Sequence, residues 1–368
     1  MMKEKDQIKL PRAVICVENP WDFIPQLTDY SIMVINPNSH DARLKYLLDQ
    51  ADWSLLITKN GEQYRSGGRY EEKLFWYTSG TTGDSKFCSF TQSQLDILSK
   101  RIVQTYNISA NDRYTSIMPL WHAHGQGFYW AAMLAKCEIN FLSIKEIKNL
   151  PNNNPTFITA IPDLLKTIGK FNFKDLRFIR SASSTLPDKI YQQLKEKFNI
   201  SIIEAFGMTE ALSHCFTNPL EGEQRIGTIG LPDGINAMIE DKQLYISGPT
   251  VCANGWYNTG DLADQDEVGY YRIIGRSKDQ INIRGIKLNP TSLEQQILKN
   301  FPTISECIIF GEDSVKCLYV GDVDTKSVDR FLSSLGNHVR PKLVNSIDNI
   351  PVAPSGKISR SFLDMQFK

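Results

Sequence analysis

Short apolar runs alternate with amphipathic stretches along most of the chain. The apolar runs are rich in β-branched and aromatic residues, which is typical of buried strands in an α/β sheet. The strands that this pattern predicts are 31–35, 53–58, 74–78, 157–160 and 200–205. Between them, apolar residues recur every three or four positions over 93–106 and 188–198. This period predicts helices, the second of them capped by Asp188, and therefore a layered α/β domain.

The pattern changes after Arg276. Residues 280–285 alternate polar and apolar side chains like a half-buried strand, and helical spacing follows over 290–300. Strands are then predicted over 307–310 and 315–320, and a helix over 326–335. This mixture predicts a separate small α+β domain. We expect residues 1–276 to form the large N-terminal domain and residues 277–368 the small one.

Composition narrows the function classes. The chain has 368 residues with 41 Lys+Arg against 41 Asp+Glu, so its zero net charge argues against binding nucleic acid through bulk charge. The longest apolar run, 128–135, is too short to span a membrane, and the N-terminus lacks the apolar region of a secretory signal. We expect a soluble, cytoplasmic protein with no nucleic-acid partner and no membrane insertion.

Cysteine and histidine usage does not suggest a metal centre. The seven cysteines are scattered without a Cys-x-x-Cys pair, which argues against a zinc site or a disulfide framework. His122 and His124 are close in sequence, but two ligands are too few for a metal site.

Residues 77–86, Tyr-Thr-Ser-Gly-Thr-Thr-Gly-Asp-Ser-Lys, form the strongest local motif. Glycines let backbone N–H groups approach a phosphate, hydroxyls donate further hydrogen bonds, and Lys86 supplies positive charge. The motif differs from the Walker pattern because Lys86 is neither preceded by glycine nor followed by Ser or Thr. A polar loop between a strand and a helix is the alternative interpretation.

Three further clusters follow in order. Residues 205–210 end a strand and include Glu210, a carboxylate suited to Mg²⁺ on phosphates. Residues 256–261 predict a turn and include Asp261, placed like the carboxylates that accept ribose hydroxyls. Residues 275–285 form a basic segment at the predicted domain boundary. Each cluster alone is explained by a turn or a solvated linker, but those alternatives do not explain all of them together and in this order.

The ordered set resembles the adenylate-forming superfamily, which includes acyl- and aryl-CoA synthetases and adenylation domains. The matching family patterns are YTSGTTGxPKG at 77–86, YGxTE at 206–210, YxTGD at 257–261, GRxKDxIxxxG at 275–285 and PxxxxGKxxR at 351–360. Compared with the family, the chain looks shortened at its N-terminus. The resemblance implies a large layered α/β domain, here reduced, and a small mobile C-terminal domain.

The resemblance also implies an activity. A carboxylic acid would react with ATP to give an acyl-AMP and pyrophosphate, and the acyl group would pass to the thiol of CoA or phosphopantetheine. The cofactors would be ATP and Mg²⁺. Two alternatives stay open: a stand-alone adenylation enzyme that loads an acyl carrier protein, and a nucleotide-binding paralogue without catalysis.

Roles carry over to matching positions. The implied phosphate-binding residues are Ser79, Gly80, Thr81, Thr82, Gly83 and Lys86. Ser183, Ser184 and Phe206 would flank the adenine. Asp261 and Arg276 would contact the ribose.

The remaining implied roles concern catalysis and motion. Thr209 would contact the α-phosphate, Glu210 would hold Mg²⁺, and Lys357 would be the adenylation lysine. His122 would be a gate near the acyl pocket. The C-terminal domain would use Lys278 as its hinge and place Gly285 on the loop facing the thiol tunnel.

Some positions depart from the family pattern. Ser85 replaces the usual proline, Phe87 the usual glycine, and Gln92 a common histidine. Phe87 could crowd the approach of the backbone to phosphate. The aromatic side chains between Trp121 and Trp130 suggest an apolar or aromatic acid, although core packing explains them equally well.

Overall fold

A computed structural model describes residues 9–39, 41–79, 85–351 and 359–367, without the side chains of Thr78, Ser79 and Ser85. The chain divides into two compact units that interleave in sequence. The first unit comprises Met1–Ala237, Ile246–Tyr257 and Gln265–Arg272. The second comprises Met238–Tyr245, Asn258–Asp264 and Ile273–Lys368. The predicted boundary between residues 276 and 277 stays a prediction.

The first sheet of the first unit has the strand order β4-β3-β1-β2-β6-β7, with β5 paired to β1. Its strands are β1 Leu10–Cys16, β2 Ser31–Val34, β3 Leu55–Thr58, β4 Gly61–Tyr64, β5 Arg69–Tyr70, β6 Glu72–Ser79 and β7 Ser85–Thr91. The accompanying helices are α1 Asp41–Gln50 and α2 Gln92–Thr105. Strand β1 pairs in parallel with β2 and β3, whereas β7 returns antiparallel to β6. Lys86 is therefore placed by a hairpin at the edge of this sheet.

The second sheet of the same unit has the order β14-β13-β12-β11-β10-β8-β9. Its strands are β8 Arg113–Ser116, β9 Glu138–Phe141, β10 Phe157–Ala160, β11 Phe178–Ser181, β12 Ser201–Phe206, β13 Phe216–Thr217 and β14 Leu231–Pro232. Its helices are α3 Ala123–Ala135, α4 Pro162–Ile168 and α5 Asp188–Phe198. Strands β9, β8, β10, β11 and β12 are parallel, so their carboxyl ends meet at one edge.

Helices α2 and α3 lie between the two sheets. Leu98 of α2 and Ala131 of α3 share one core with Leu74 of the first sheet and Phe178 of the second. Helix α1 covers the other face of the first sheet, and α4 and α5 cover the other face of the second. This layering confirms the predicted α/β fold. The predicted cap of α5 is wrong, because Pro187 holds the cap position and Asp188 is the first helical residue.

A four-stranded sheet follows in the order β15 Asn236–Glu240, β16 Gln243–Ser247, β17 Tyr257–Gln265 and β18 Tyr271–Arg276. The turn predicted over 256–261 is wrong, because residues 257–261 lie within β17. Gly260 adopts a φ of +75° there, a left-handed conformation that glycine tolerates, and the strand continues beyond it.

The second unit continues as a small α+β structure. Its elements are the hairpin β19 Ile281–Ile283 and β20 Ile286–Leu288, helix α6 Pro290–Asn300, strands β21 Ile304–Phe310 and β22 Val315–Gly321, helix α7 Thr325–Ser334, strand β23 Pro341–Ser346 and helix α8 Arg360–Gln366. Strands β21, β22 and β23 form one sheet. Helices α6 and α7 share a core with one face of it, and α8 packs in a second cluster around Phe310 and Leu318. The helices and strands predicted beyond residue 289 are confirmed. The strand predicted over 280–285 is too long, because β19 ends at Ile283 and residues 284–285 form the turn to β20.

Candidate functional site

The carboxyl edge of the second sheet collects several of the predicted residues. His122 follows β8, Ser183 and Ser184 follow β11, and Thr209 and Glu210 follow β12. These strands run in parallel, so residues far apart in sequence leave the sheet on the same side. Ligands of α/β sheets bind at such an edge.

Glu210 lies in a single 3-10 turn, Thr209–Ala211, directly beyond β12. Gly207 allows this turn to form, because a Cβ atom there would lie 1.6 Å from the carbonyl oxygen of Ser213. The backbone N–H of Cys252 donates to the carbonyl oxygen of Glu210 at 2.8 Å. The turn is thus held on both sides while the Glu210 side chain stays partly exposed.

Tyr257 connects Glu210 with the strand that carries Lys86. Burial raises the pKa of the Tyr257 hydroxyl, and the negative charge of Glu210 raises it further. The Lys86 ammonium lies 5.9 Å from the centre of the Tyr257 ring. The predicted phosphate-binding lysine and the predicted magnesium ligand therefore adjoin the same tyrosine in the first unit.

Phe87 does not share the environment of Lys86. It pairs across the hairpin with Tyr77, with ring centres 5.2 Å apart, and the Arg12 guanidinium lies 5.3 Å from its ring. Successive residues of a strand point to opposite faces. The Phe87 ring consequently packs on the face opposite to Lys86. The side chain at this position therefore does not crowd the face that carries Lys86.

The region after β8 separates into exposed and core residues. His122 is exposed at the cap position of α3. Phe128 and Tyr129 are 1% and 2% exposed and belong to the core between the sheets, so core packing explains these two aromatics. The gate role of His122 stays a prediction.

The predicted adenine-binding residues lie at the ends of neighbouring strands. Ser183 and Ser184 are exposed, and Ser183 has a φ of +76°, in the left-handed region that non-glycine residues rarely adopt. Phe206 is half-buried at the end of β12, with its ring 5.9 Å from that of Phe216. The structure brings all three to one sheet edge; their contact with adenine stays a prediction.

A buried polar cluster behind this edge was missed by the sequence analysis. Arg180 of β11 is fully buried and contacts His124 and His214. His214 contacts Asp233 at 2.7 Å, and His124 contacts Ser183 at 3.2 Å. The available signal was a lone arginine inside the apolar strand Phe178–Ser181, since a buried charge requires polar partners.

In the second unit, Asp261 and Arg276 form an ion pair on the neighbouring strands β17 and β18. The Nε atom of Arg276 lies 2.7 Å from a carboxylate oxygen of Asp261. Asp261 is 2% exposed, whereas Arg276 is exposed. The backbone N–H of Asp261 also donates to the Thr259 hydroxyl at 3.1 Å. The structure thus brings together the two residues predicted to contact ribose.

The remaining second-unit motif residues lie in turns. Lys278 is in the 3-10 turn Ser277–Asp279, and Gly285, at φ +88°, is in the β19–β20 turn. Arg360, which begins α8, donates to Asp279 at 2.9 Å and to Glu294 at 2.8 Å. The sequence analysis assigned Arg360 no role. Its contacts join the 275–285 motif to the end of the 351–360 motif.

Several predicted residues lie outside the described residues: Gly80, Thr81, Thr82, Gly83 and Lys357, together with the Ser79 side chain. Within the described ranges, no group of three or more His, Cys, Asp or Glu side chains is arranged to hold a metal ion. No helix in the described part of the chain is long and apolar enough to cross a membrane.

Comparison with known proteins gives one family match. Residues 73–252 match the family described as AMP-binding enzyme. This segment includes the phosphate-loop motif, the Arg180 cluster and Glu210.

Two curated relatives are CoA ligases. Oxalate–CoA ligase of Arabidopsis thaliana is 29% identical over 346 residues, covering 80% of this chain and 67% of the relative. Sulfoacetate–CoA ligase of Cupriavidus necator is 27% identical over 337 residues, covering 78% and 65%. The chain therefore spans about two thirds of the length of these relatives. The crystal structure of ATP-bound MatB from Rhodopseudomonas palustris superposes with a TM-score of 0.84 at 19% identity, covering 98% of this chain and 89% of that one, which shows the fold.

Proposed function

We propose that this chain, whose residues 73–252 match the AMP-binding enzyme family, is an AMP-forming acid–CoA ligase of the adenylate-forming superfamily. It would join a carboxylic acid to ATP, release pyrophosphate and pass the acyl group to CoA. The observation that carries the proposal is the meeting of Lys86 and Glu210 at Tyr257. A cation and a carboxylate at a sheet edge, beside a motif rich in glycine and hydroxyl groups, suit a nucleotide triphosphate.

The chemistry requires positive charge. A carboxylate attacks an anionic triphosphate poorly unless the charge developing at the α-phosphate is stabilised. Lys86 would hold the leaving phosphates, Thr209 would donate to the α-phosphate, and Lys357 would supply charge during adenylation. Mg²⁺, when bound, would neutralise phosphate charge, and the partly exposed Glu210 carboxylate offers the oxygen ligand that this ion takes.

Asp261 and Arg276 would bind the ribose of the nucleotide. Arg276 holds the Asp261 carboxylate, and the Thr259 hydroxyl accepts the backbone N–H of Asp261, so both ends of the residue are held before any ligand binds. A fixed carboxylate can accept hydrogen bonds from both ribose hydroxyls. Arg276 would contact the same sugar through its exposed guanidinium.

The acid is proposed to be small and to carry a second acidic group. The two relatives described above are named for oxalate and sulfoacetate, each of which has a second anionic group beside the reacting carboxylate. The acceptor is proposed to be CoA because both relatives are CoA ligases. A carrier protein is the alternative acceptor.

Acid-dependent exchange of labelled pyrophosphate into ATP tests the proposal. Exchange is expected with at least one of oxalate, malonate and sulfoacetate, and Glu210→Gln should abolish it because the amide loses the negative charge. CoA should then yield a thioester. Absence of exchange with every acid would refute the ligase function, and transfer only to a carrier protein would refute CoA as acceptor.

A further inference from the structure

The hydrogen-bond polarity around Arg180 is fixed by the guanidinium itself. Its Nε donates to the Tyr106 hydroxyl at 3.0 Å, and one terminal nitrogen donates to Thr159 at 3.3 Å. The terminal nitrogens also lie 3.2 Å from Nε2 of His124 and 3.3 Å from Nδ1 of His214. A guanidinium can only donate, so both of these imidazole nitrogens act as acceptors. The Thr159 hydroxyl lies 2.6 Å from Nε2 of His124, and because it accepts from Arg180, its own proton is directed to that nitrogen.

This polarity determines where each histidine carries its proton. Burial lowers the pKa of both His124 and His214, which keeps the rings neutral with one proton each. His214 accepts at Nδ1, so its proton is on Nε2, which donates to Asp233 at 2.7 Å. His124 accepts at Nε2, so its proton is on Nδ1, which donates to Ser183 Oγ at 3.2 Å. The two buried histidines therefore have opposite tautomers.

The two branches of this network end differently. One branch runs from Arg180 through His214 to the Asp233 carboxylate. The other runs through His124 to the exposed hydroxyl of Ser183 at the sheet edge. The Ser183 oxygen accepts from His124, so its own proton points away from the imidazole. The hydrogen-bond donors of this branch, from Arg180 through His124 to Ser183, thus all point towards the sheet edge. A ligand bound there would have to accept a hydrogen bond.

A negative group is the acceptor that this branch favours. Arg180 is fully buried and reaches the Asp233 carboxylate only through a neutral ring. A buried charge is costly unless it is compensated. The Asp233 carboxylate is shared with Arg101, whose guanidinium lies 3.3 Å away, so an anion beside Ser183 would supply compensation that Arg180 does not receive from Asp233 alone.

We propose that Arg180 is a positioning residue that sets the tautomer of His124, so that Ser183 donates a hydrogen bond to the second acidic group of the acid substrate. Ser183 touches the substrate, whereas Arg180 acts through His124. This inference rests on the proposed ligase function and adds the residues that select the acid. It differs from the adenine contact that the resemblance implies for Ser183.

Pairs of acids with and without a second acidic group separate the proposed role of Ser183 from the adenine contact. Pyrophosphate exchange is measured with malonate and sulfoacetate, each compared with singly charged propanoate, and with oxalate compared with glycolate. Ser183→Ala should lower kcat/KM for the doubly charged acids about tenfold to a hundredfold, the effect of losing a hydrogen bond to a charged group, and spare the singly charged ones. Thr185→Ala, an exposed hydroxyl deletion two residues away, is the control and should change neither. An equal loss with all acids, or a raised KM for ATP alone, would overturn the inference in favour of the adenine contact.

The tautomers give a second readout that does not depend on turnover. In protein labelled with ¹⁵N-histidine, His124 should show the Nδ1–H form and His214 the Nε2–H form, with signals assigned from His124→Asn and His214→Asn variants. Arg180→Met should abolish the Nδ1–H preference of His124. Finding the Nε2–H form of His124 in the unaltered protein would overturn the inference. Because this result is independent of exchange, it also distinguishes a failed inference from a failed ligase function.

Discussion

Arg180 in the first unit and Arg360 in the second show two ways of accommodating a guanidinium. Arg360 is half-buried and donates directly to the carboxylates of Asp279 and Glu294. Arg180 is fully buried and donates to neutral side chains, with Asp233 reached only through His214. The charge of Arg360 is compensated within the protein, which suits an anchor for helix α8. The charge of Arg180 is compensated on one side, which suits recognition of a ligand.

The largest effect on activity is expected at Lys357, three residues before Arg360, and its dependence on the acid should differ from that of Arg180. Lys357→Ala should reduce pyrophosphate exchange about 10²- to 10³-fold with every acid, because the charge on the α-phosphate loses its stabilisation. Thioester formation from supplied acyl-AMP should persist. By contrast, Arg180→Met should lower exchange with doubly charged acids preferentially. Equal loss of both half-reactions in Lys357→Ala would contradict a role confined to adenylation.

Stability should distinguish the two arginines directly. Arg360→Met leaves two carboxylates without their cation and should reduce the free energy of unfolding by about 3 kcal/mol. Arg180→Met leaves neutral groups unpaired and should cost about 1–2 kcal/mol. Urea unfolding of both variants against the unaltered protein measures the difference. A larger loss for Arg180→Met would show that its network is mainly structural.

Two carboxylates differ in the same way. Glu294 pairs with the Arg360 guanidinium, whereas Glu204 forms no salt bridge within the described residues. Glu204 accepts backbone N–H groups from Leu186 and Gly227, and burial raises its pKa to about 7. The unfolded chain ionises near its ordinary value of 4.5, so stability should fall as pH rises from about 4.5 to 7, by roughly 3 kcal/mol in total. Glu204→Gln should remove this fall. The exposed Glu196→Gln is the control, and an unchanged pH profile in Glu204→Gln would disprove the assignment.

The smallest effect tests whether charge or capping anchors helix α8. Ser359 is its cap residue and accepts the backbone N–H of Phe362 at 3.4 Å. Ser359→Ala should reduce the free energy of unfolding by about 0.5–1 kcal/mol, less than Arg360→Met, and leave exchange unchanged. Urea unfolding measures the loss, and a loss as large as that of Arg360→Met would assign the anchoring to the cap.

Periodicity in the sequence predicted the elements that position the site. Strand 157–160 and helix 290–300 have the predicted bounds, because both lie in strongly patterned stretches with clear ends. The predicted turn at 256–261 was wrong because Gly260, a turn former in most contexts, here adopts its positive φ within a continuous strand. Local sequence does not reveal whether a neighbouring strand will pair on either side of such a glycine.

The candidate site could be predicted in part from ordered motifs. These identified Thr209 and Glu210, and the resemblance that they carry implied Ser183; parallel strands then bring all three to one edge. The Arg180 cluster escaped because its members come from distant segments: Arg180 and Tyr106 are 74 residues apart, and Arg180 and His124 are 56 apart. Only folding brings them together, and no motif spacing records the contact.

The left-handed backbone of Ser183 has a consequence for engineering this protein. At φ +76° a serine is strained by about 1 kcal/mol or more, whereas glycine adopts this conformation freely. Ser183→Gly should therefore raise the melting temperature while removing the hydroxyl that we propose selects the acid. A search for thermostable variants would favour this substitution and yield a more robust but less discriminating catalyst, a trade-off between stability and selectivity at a single residue.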